Sequence, residues 1–194
     1  RDERMPWSGH PAKTSESEGW AFNVARFYEH FLHNYRVHQA EDGSLQEILP
    51  PYWLFNSKDI IWPSVVTIIP DWYCNFYGDD RLLRDNYDMM KQFVRYHERT
   101  NLRPDNTMDY CNYGDWVDTK SIGANTRNFG ATSRPLMGTA YFYNNCRIVE
   151  RAARILSRRE DEDYFGELAD RVRVGFNGRF FDEKMSVNES PKQC

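Results

Sequence analysis

The chain has no apolar run approaching the roughly 20 residues needed to cross a bilayer. Its opening residues, Arg1 to Pro11, lack the basic, apolar and small-residue succession of a secretory leader. It is therefore expected to be soluble, with no compartment indicated. Neither sign of charge dominates: 25 Lys and Arg stand against 29 Asp and Glu, interspersed, for a formal charge of −4. Without a basic patch, nucleic acid is not an expected partner. The four cysteines, Cys74, Cys111, Cys146 and Cys194, form no C-x-x-C pair and no cluster with histidine at metal spacing, so no zinc is expected. His30 and His33 share a helical face, but no carboxylate or cysteine completes a ligand set. Also missing are G-x-G-x-x-G, G-x-x-x-x-G-K-[ST] and G-x-S-x-G, the signatures of nucleotide-dependent and serine-hydrolase chemistry. Neither a metal nor an organic cofactor is expected. No stretch alternates with period two as a strand would, and no self-similarity recurs at the roughly 34 to 45 residues of a helical solenoid.

Aromatic residues, by contrast, are abundant, at 15% of the chain with six tryptophans. That exceeds what a helical domain needs to fill its interior. Trp and Tyr offer flat apolar faces with a polar edge, which suits the C–H faces of sugar rings. Helical periodicity dominates the rest. Trp20, Val24, Phe27, Phe31 and Tyr35 recur at spacings of four, three, four and four, which predicts one amphipathic helix from about Ser17 to Val37. Asp42-Gly43 marks a turn, and Pro50-Pro51 an ordered loop. A second helix is expected from about Ser64 to Tyr77, interrupted or kinked near Pro70, with Gly78 as its stop and Asp79 opening the next. Leu83, Tyr87, Met90 and Val94 stripe a third helix ending near Arg99. Residues 105 to 131 read as a polar loop of the length that usually carries function. Ser133 as N-cap with Pro135 in the first turn opens a helix through Leu136, Ala140, Tyr143, Val149, Ala153 and Leu156. Another carries Phe165, Leu168, Val172 and Phe176, and the polar tail is read as the start of a sixth. The expected fold is all-α: antiparallel helix pairs arranged as a toroid, with long loops gathered around a pocket at one end.

Three segments concentrate chemistry. In Arg1-Asp2-Glu3-Arg4-Met5-Pro6-Trp7-Ser8-Gly9-His10, an apolar ring beside a carboxyl group disfavours its charged form, so Glu3 near Trp7 can stay protonated as a general acid. The neighbouring arginines oppose that shift, and a solvated charged terminus is the competing reading. Trp62, between Ile61 and Pro63 at a helix start, either projects into a pocket or packs in the core. In Gly114-Asp115-Trp116 the glycine permits an unusual turn, the carboxylate can accept sugar hydroxyls and the indole can stack on a ring. Equally, Asp115 can cap a helix and Trp116 can anchor the core.

Taken in order, Arg-Asp-Glu-Arg-Met-Pro-Trp-Ser-Gly at 1 to 9, Ile-Trp at 61 to 62, Tyr-Gly-Asp-Trp at 113 to 116 and Ala-Asp-Arg-Val-Arg-Val-Gly-Phe-Asn-Gly-Arg-Phe-Phe-Asp at 169 to 182 resemble the α-L-rhamnosidases of glycoside hydrolase family 78. The resemblance covers nearly the whole chain. It implies that residues 1–194 are the N-terminal portion, about half, of an (α/α)6 toroid of six helix pairs. It implies an exo-acting enzyme that inverts the anomeric centre while releasing terminal α-L-rhamnose. Glu3 is then the general acid, Arg1, Trp7, Trp62 and Trp116 line the sugar pocket, and Asp115 is a nearby polar contact. In an inverting mechanism a second carboxylate, roughly 6.5 to 9.5 Å from the acid, activates water. In the family that base lies beyond the position of residue 194, so the chain is expected to hold half a site, to be inactive alone and to be capable of self-association. Two departures stand out. His10 replaces the aspartate that contacts the sugar in the family, changing charge and hydrogen-bond direction. Pro63-Ser64 replaces small or acidic residues, which bears on a helix start more than on chemistry. The alternatives are a carbohydrate-binding relative without catalysis, or a helical scaffold for protein partners.

Overall fold

A computed structural model describes residues 4–51, 59–109, 111–115 and 132–181. Among them are six α-helices and no strand: α1 (Gly9–Ala21), α2 (Ala25–His38), α3 (Val65–Tyr77), α4 (Arg81–Thr100), α5 (Arg134–Ile155) and α6 (Arg159–Phe180), with a single 3-10 turn, Trp62–Ser64, leading into α3. α3 and α4 pack as a hairpin around Gly78–Asp80, and α5 and α6 around Leu156–Arg158. α1 packs on α3 and α3 on α5, while α2 packs on α4 and α4 on α5. The result is a two-layered arc of three consecutive helix pairs, α1, α3 and α5 in one layer and α2, α4 and α6 in the other. This is the all-α architecture expected, half of the six pairs of an (α/α)6 toroid.

Local chemistry explains most boundaries. Gly78 ends α3 in the left-handed conformation (φ 67°), its N–H returning to the Cys74 carbonyl. The next residue, Asp79, accepts the Arg81 N–H on its carboxylate at 2.9 Å and opens α4. Leu83, Tyr87, Met90 and Val94 are fully buried, as their spacing predicts. α3 runs through Pro70 as one element rather than breaking there. At α5, Ser133 accepts the Leu136 N–H at 3.4 Å and Pro135 sits in the first turn.

The predicted helix from Ser17 to Val37 is instead two. The chain breaks at Phe22–Val24, and the Asn23 side chain accepts the Ala25 N–H at 3.3 Å to start α2. The buried stripe of α2 is Tyr28, Leu32 and Tyr35; of the predicted stripe Val24 and Tyr35 are buried and Phe31 half-buried, while Trp20 is 76% and Phe27 58% exposed. α1 begins at Gly9 and is polar, and two of its glycines lie close against rings of α3 and the turn before it. A side chain at Gly19 would meet the Trp72 ring at 2.4 Å, and one at Gly9 the Trp62 ring at 3.0 Å.

Side chains tie the layers together. Lys91 pairs with Asp161 at 2.7 Å and the Tyr87 hydroxyl donates to the same carboxylate at 2.9 Å, joining α4 to α6. Arg95 lies over the Tyr164 ring at 3.7 Å, and the Arg151 guanidinium forks onto Asp71, joining α5 to α3. Inside, Asn145 of α5 donates to the Ser64 hydroxyl at 2.7 Å and faces Thr67, a fully buried polar contact between α5 and the start of α3. Cys74, Cys111 and Cys146 are free thiols; burial pushes that of Cys111 up to about 12 and raises that of Cys146 as well. The tail predicted to begin a further helix lies outside the described residues, as does most of the loop from 105 to 131.

Candidate functional site

Three segments that lead into α1, α3 and α5 meet at one end of the arc. Alternate helices of consecutive hairpins run in the same direction, so these are the N-terminal ends of one layer. The first segment is pinned by a two-residue bridge: Trp7 pairs with Ile48, Ser8 N–H donates to the Glu47 carbonyl at 2.8 Å, and Leu49 N–H to the Pro6 carbonyl at 3.3 Å. α1 then starts at Gly9. The absence of a side chain there lets the backbone lie against the face of Trp62.

The second segment carries Trp62, only 7% exposed, in the 3-10 turn. Asp59 caps this turn, its Oδ2 accepting the N–H groups of Ile61 and Trp62, both at 3.1 Å. The third segment, residues 111–115, turns at Gly114, whose φ of 52° bears out the unusual backbone expected there. It brings Tyr113 onto Trp62, with ring centroids 3.9 Å apart and planes 14° from parallel. Trp7 stands edge-on to both, at 4.8 Å from Trp62 and 5.8 Å from Tyr113. Three rings from residues 7, 62 and 113 thus form one stacked and edged cluster, in which the edge-on approach of Trp7 is the geometry ring quadrupoles favour.

Of the residues singled out from sequence, Trp7 and Trp62 come together in this cluster. His10 lies on the first turn of α1, exposed, its N–H directed to the Trp7 carbonyl at 3.3 Å. Asp115 is half-buried beside the cluster and accepts the Thr132 hydroxyl at 3.2 Å, bracing the loop against the start of α5. Arg1, Glu3 and Trp116 lie outside the described residues. Arg4, next to Glu3, takes a left-handed backbone with φ 52°, uncommon for a residue with a side chain.

Tyr113 and Asp59 were not singled out from the sequence. Tyr113 carried no signal beyond its place beside Gly114-Asp115. Asp59 did: an Asp three residues before Trp62-Pro63 fits a capping residue ahead of a proline-started helix. Burial holds the Asp59 carboxyl above the usual carboxylate range, Glu47 adding to the rise and the N–H groups of Asn112, Trp62 and Ile61 opposing it. Behind it, burial lowers His97 to about 3, against the Asp59 backbone hydrogen bond that favours its charged form. The imidazole at the end of α4 is therefore neutral, its Nδ1 2.8 Å from the Asn101 amide. Among the described residues no group of three His, Cys, Asp or Glu side chains is arranged to hold a metal.

Helix hairpins stacked in two layers, with an aromatic cluster at the N-terminal ends of one layer, define a domain of the helical-toroid class. Within that class the chain belongs to the bacterial alpha-L-rhamnosidase six-hairpin glycosidase domain family, whose profile matches residues 1–193. It is 31% identical over 183 residues, 93% of its length, to an alpha-L-rhamnosidase of Formosa agariphila. It is 27% identical over 191 residues to one of an Alteromonas species. The chain spans about a fifth of those relatives, 19% and 20% of their lengths. Among solved structures it superposes on an alpha-L-rhamnosidase from Dictyoglumus thermophilum with a TM-score of 0.83 and 33% identity, covering 95% of this chain and 20% of that one. A Streptomyces avermitilis alpha-L-rhamnosidase complexed with L-rhamnose shares the fold, with a TM-score of 0.79 and 24% identity, over 97% of this chain and 17% of that one.

Proposed function

We propose that the chain supplies the acid-bearing side of the sugar site in an exo-acting, inverting α-L-rhamnosidase. The observation that carries this reading is the meeting of Trp7, Trp62 and Tyr113 from three distant segments at one end of the helices. L-Rhamnose is a 6-deoxy sugar, and its methyl group and ring C–H bonds match apolar aromatic walls better than the hydroxylated edges of other hexoses. Arg1, Trp7, Trp62 and Trp116 line the pocket, His10 contacts the sugar at its rim, and Asp115 accepts a hydroxyl. Glu3, four residues before Trp7, protonates the departing glycosidic oxygen. The water-activating carboxylate is assigned to none of these 194 residues, so the chain alone is expected to bind sugar without turning it over.

Two measurements test this. Titrating the chain with L-rhamnose should quench or shift tryptophan fluorescence, and Trp62→Ala should remove most of that response; a wild-type response equal for L-rhamnose and D-glucose contradicts the substrate class. In an active full-length rhamnosidase carrying this sequence, Glu3→Gln should abolish hydrolysis while sugar binding persists. Retained turnover rules out Glu3 as the acid.

His10 supports a second reading, a carbohydrate-binding relative without catalysis, because an imidazole cannot supply the fixed negative charge of an aspartate. His10→Asp in the same full-length protein separates the two: turnover that appears only in the variant favours the second.

A further inference from the structure

The aromatic cluster is held together from beneath by a buried carboxyl group. Asp59 is 2% exposed and Glu47 is fully buried. Among the described residues, no lysine or arginine forms an ion pair with Asp59; its carboxyl oxygens accept backbone N–H groups instead, one oxygen to each of two segments. Oδ2 takes Ile61 and Trp62, at 3.1 Å each, and Oδ1 takes Asn112 at 2.8 Å, one residue before Tyr113. The Asp59 N–H in turn donates to Glu47 Oε1 at 3.0 Å, and the Glu47 carbonyl accepts the Ser8 N–H next to Trp7. One continuous set of hydrogen bonds thus runs from the backbone at Trp7 through Glu47 and Asp59 to the backbones at Trp62 and Tyr113.

A lone cap for a helix start needs one oxygen. The second Asp59 oxygen adds nothing to the helix and bonds only the loop that carries Tyr113. Burying a carboxyl group without a counter-ion is costly, and what it secures here is the relation of two rings whose centroids lie 3.9 Å apart. We propose that Asp59 is a positioning residue that sets the Trp62–Tyr113 stack, and with Glu47 the approach of Trp7, and thereby fixes the aromatic wall that receives the sugar. This rests on the sugar-site reading given above.

The amide of Asp59→Asn offers a single acceptor. It can serve Ile61 and Trp62, but its NH2 then faces the Asn112 N–H, donor against donor, so the Tyr113 arm is released. In the 194-residue chain this variant should keep its far-ultraviolet helical signal while losing at least about half of the aromatic near-ultraviolet circular dichroism. Its affinity for L-rhamnose should weaken about tenfold. Val149→Ala removes two buried methyl groups from α5 far along the chain from the site. It should lower the melting temperature yet leave the near-ultraviolet signal and the affinity unchanged, which separates positioning from general loosening. Asp59→Ser retains a cap for Trp62 but is too short to bridge to Asn112, and it gives the same readings should the asparagine variant fail to fold. An unchanged near-ultraviolet signal in the folded Asp59 variant, or its equal loss in Val149→Ala, overturns the proposal. Absence of rhamnose binding by the wild-type chain defeats the sugar-site reading instead, and the near-ultraviolet comparison still decides the role of Asp59.

Discussion

At position 9 a missing side chain lets α1 begin against an indole, because a Cβ there would lie 3.0 to 3.1 Å from three Trp62 ring atoms. Two effects of Gly9→Ala oppose each other. Alanine favours helix over glycine by up to about 1 kcal/mol, less at a helix end, while the new methyl forces Trp62 to shift by a few tenths of an ångström against packed neighbours. The expected outcome is a melting temperature within a few degrees of wild type, together with a displaced tryptophan fluorescence maximum and weaker L-rhamnose binding. A variant with wild-type fluorescence and affinity would show that Trp62 moves freely and that the close approach has no bearing on the site. Residues at this scale were legible in the sequence only where chemistry left a pattern. Trp7 and Trp62 stood out as indoles in distinctive company, whereas Tyr113 was one tyrosine among twelve. Its importance comes from the Gly114 turn and the Asp59 contact across 53 positions, and no local pattern records that contact.

Among the elements, those with a caps-and-stripe signature were readable and those held by close approach were not. α4 and α5 announce themselves through buried stripes and through Gly78, Asp79, Ser133 and Pro135. α1 has almost no apolar stripe, burying only Gly9 and Ser15, so periodicity could not find it. Adjacent aromatics misled the phase of α2: Phe27 and Tyr28 each continue a plausible stripe, and only the packing of Tyr28 against Trp72, with its hydroxyl on Glu18, decides between them. Two predictions belong to this scale. Ser133→Ala removes the N-cap of α5 and should cost about 0.5 to 1 kcal/mol, the lower part of the usual range because the bond is long at 3.4 Å; thermal melting checks it. Gly175→Ala is expected to be worse. Its Cβ would sit 2.2 Å from the Asp105 carbonyl, which cannot rotate away as a side-chain tip can. Overpacking of this kind costs about 1 to 3 kcal/mol, or roughly 2 to 4 °C per kcal/mol in a chain of this size. The clash also pushes on the loop that Arg179 holds through the Thr107 hydroxyl at 2.8 Å. A variant that melts at the wild-type temperature would mean that α6 and this loop are not in contact in solution.

Over the whole molecule, the helical class, the paired arrangement and the gathering of long loops at one end were all expected from the sequence, whereas the hydrogen bonds that join three of those loops at the N-terminal ends of α1, α3 and α5 depend on how the hairpins pack and were not. That convergence also shapes how stability responds to pH, because two buried titratable groups lie beneath the site, the capping carboxyl of Asp59 and the His97 imidazole, which hydrogen-bonds the Asp59 backbone. Their contributions have opposite signs. His97 titrates near 6.5 in an unfolded chain but is held down to about 3 in the fold. As pH falls below about 6.5 the unfolded state takes up a proton that the folded state refuses, and stability drops by up to about 1.4 kcal/mol per pH unit until about pH 3. Asp59 is held above the usual range, so its protonated form favours the fold: that contribution is complete below about pH 3.9 and is lost as pH rises through the folded value. Half-buried Asp79, held low chiefly by the Arg81 side chain, loses its advantage only below about pH 3.9. Below about pH 6.5 His97 therefore lowers stability as acid is added, and above about pH 3.9 Asp59 works against it. Urea unfolding between those two pH values should show falling stability with acid in the wild type. In His97→Gln the slope should flatten or reverse, even though the variant is less stable at pH 7 for want of the ring's packing against Phe93. A His97→Gln profile parallel to that of the wild type would mean that the imidazole takes its proton within the fold.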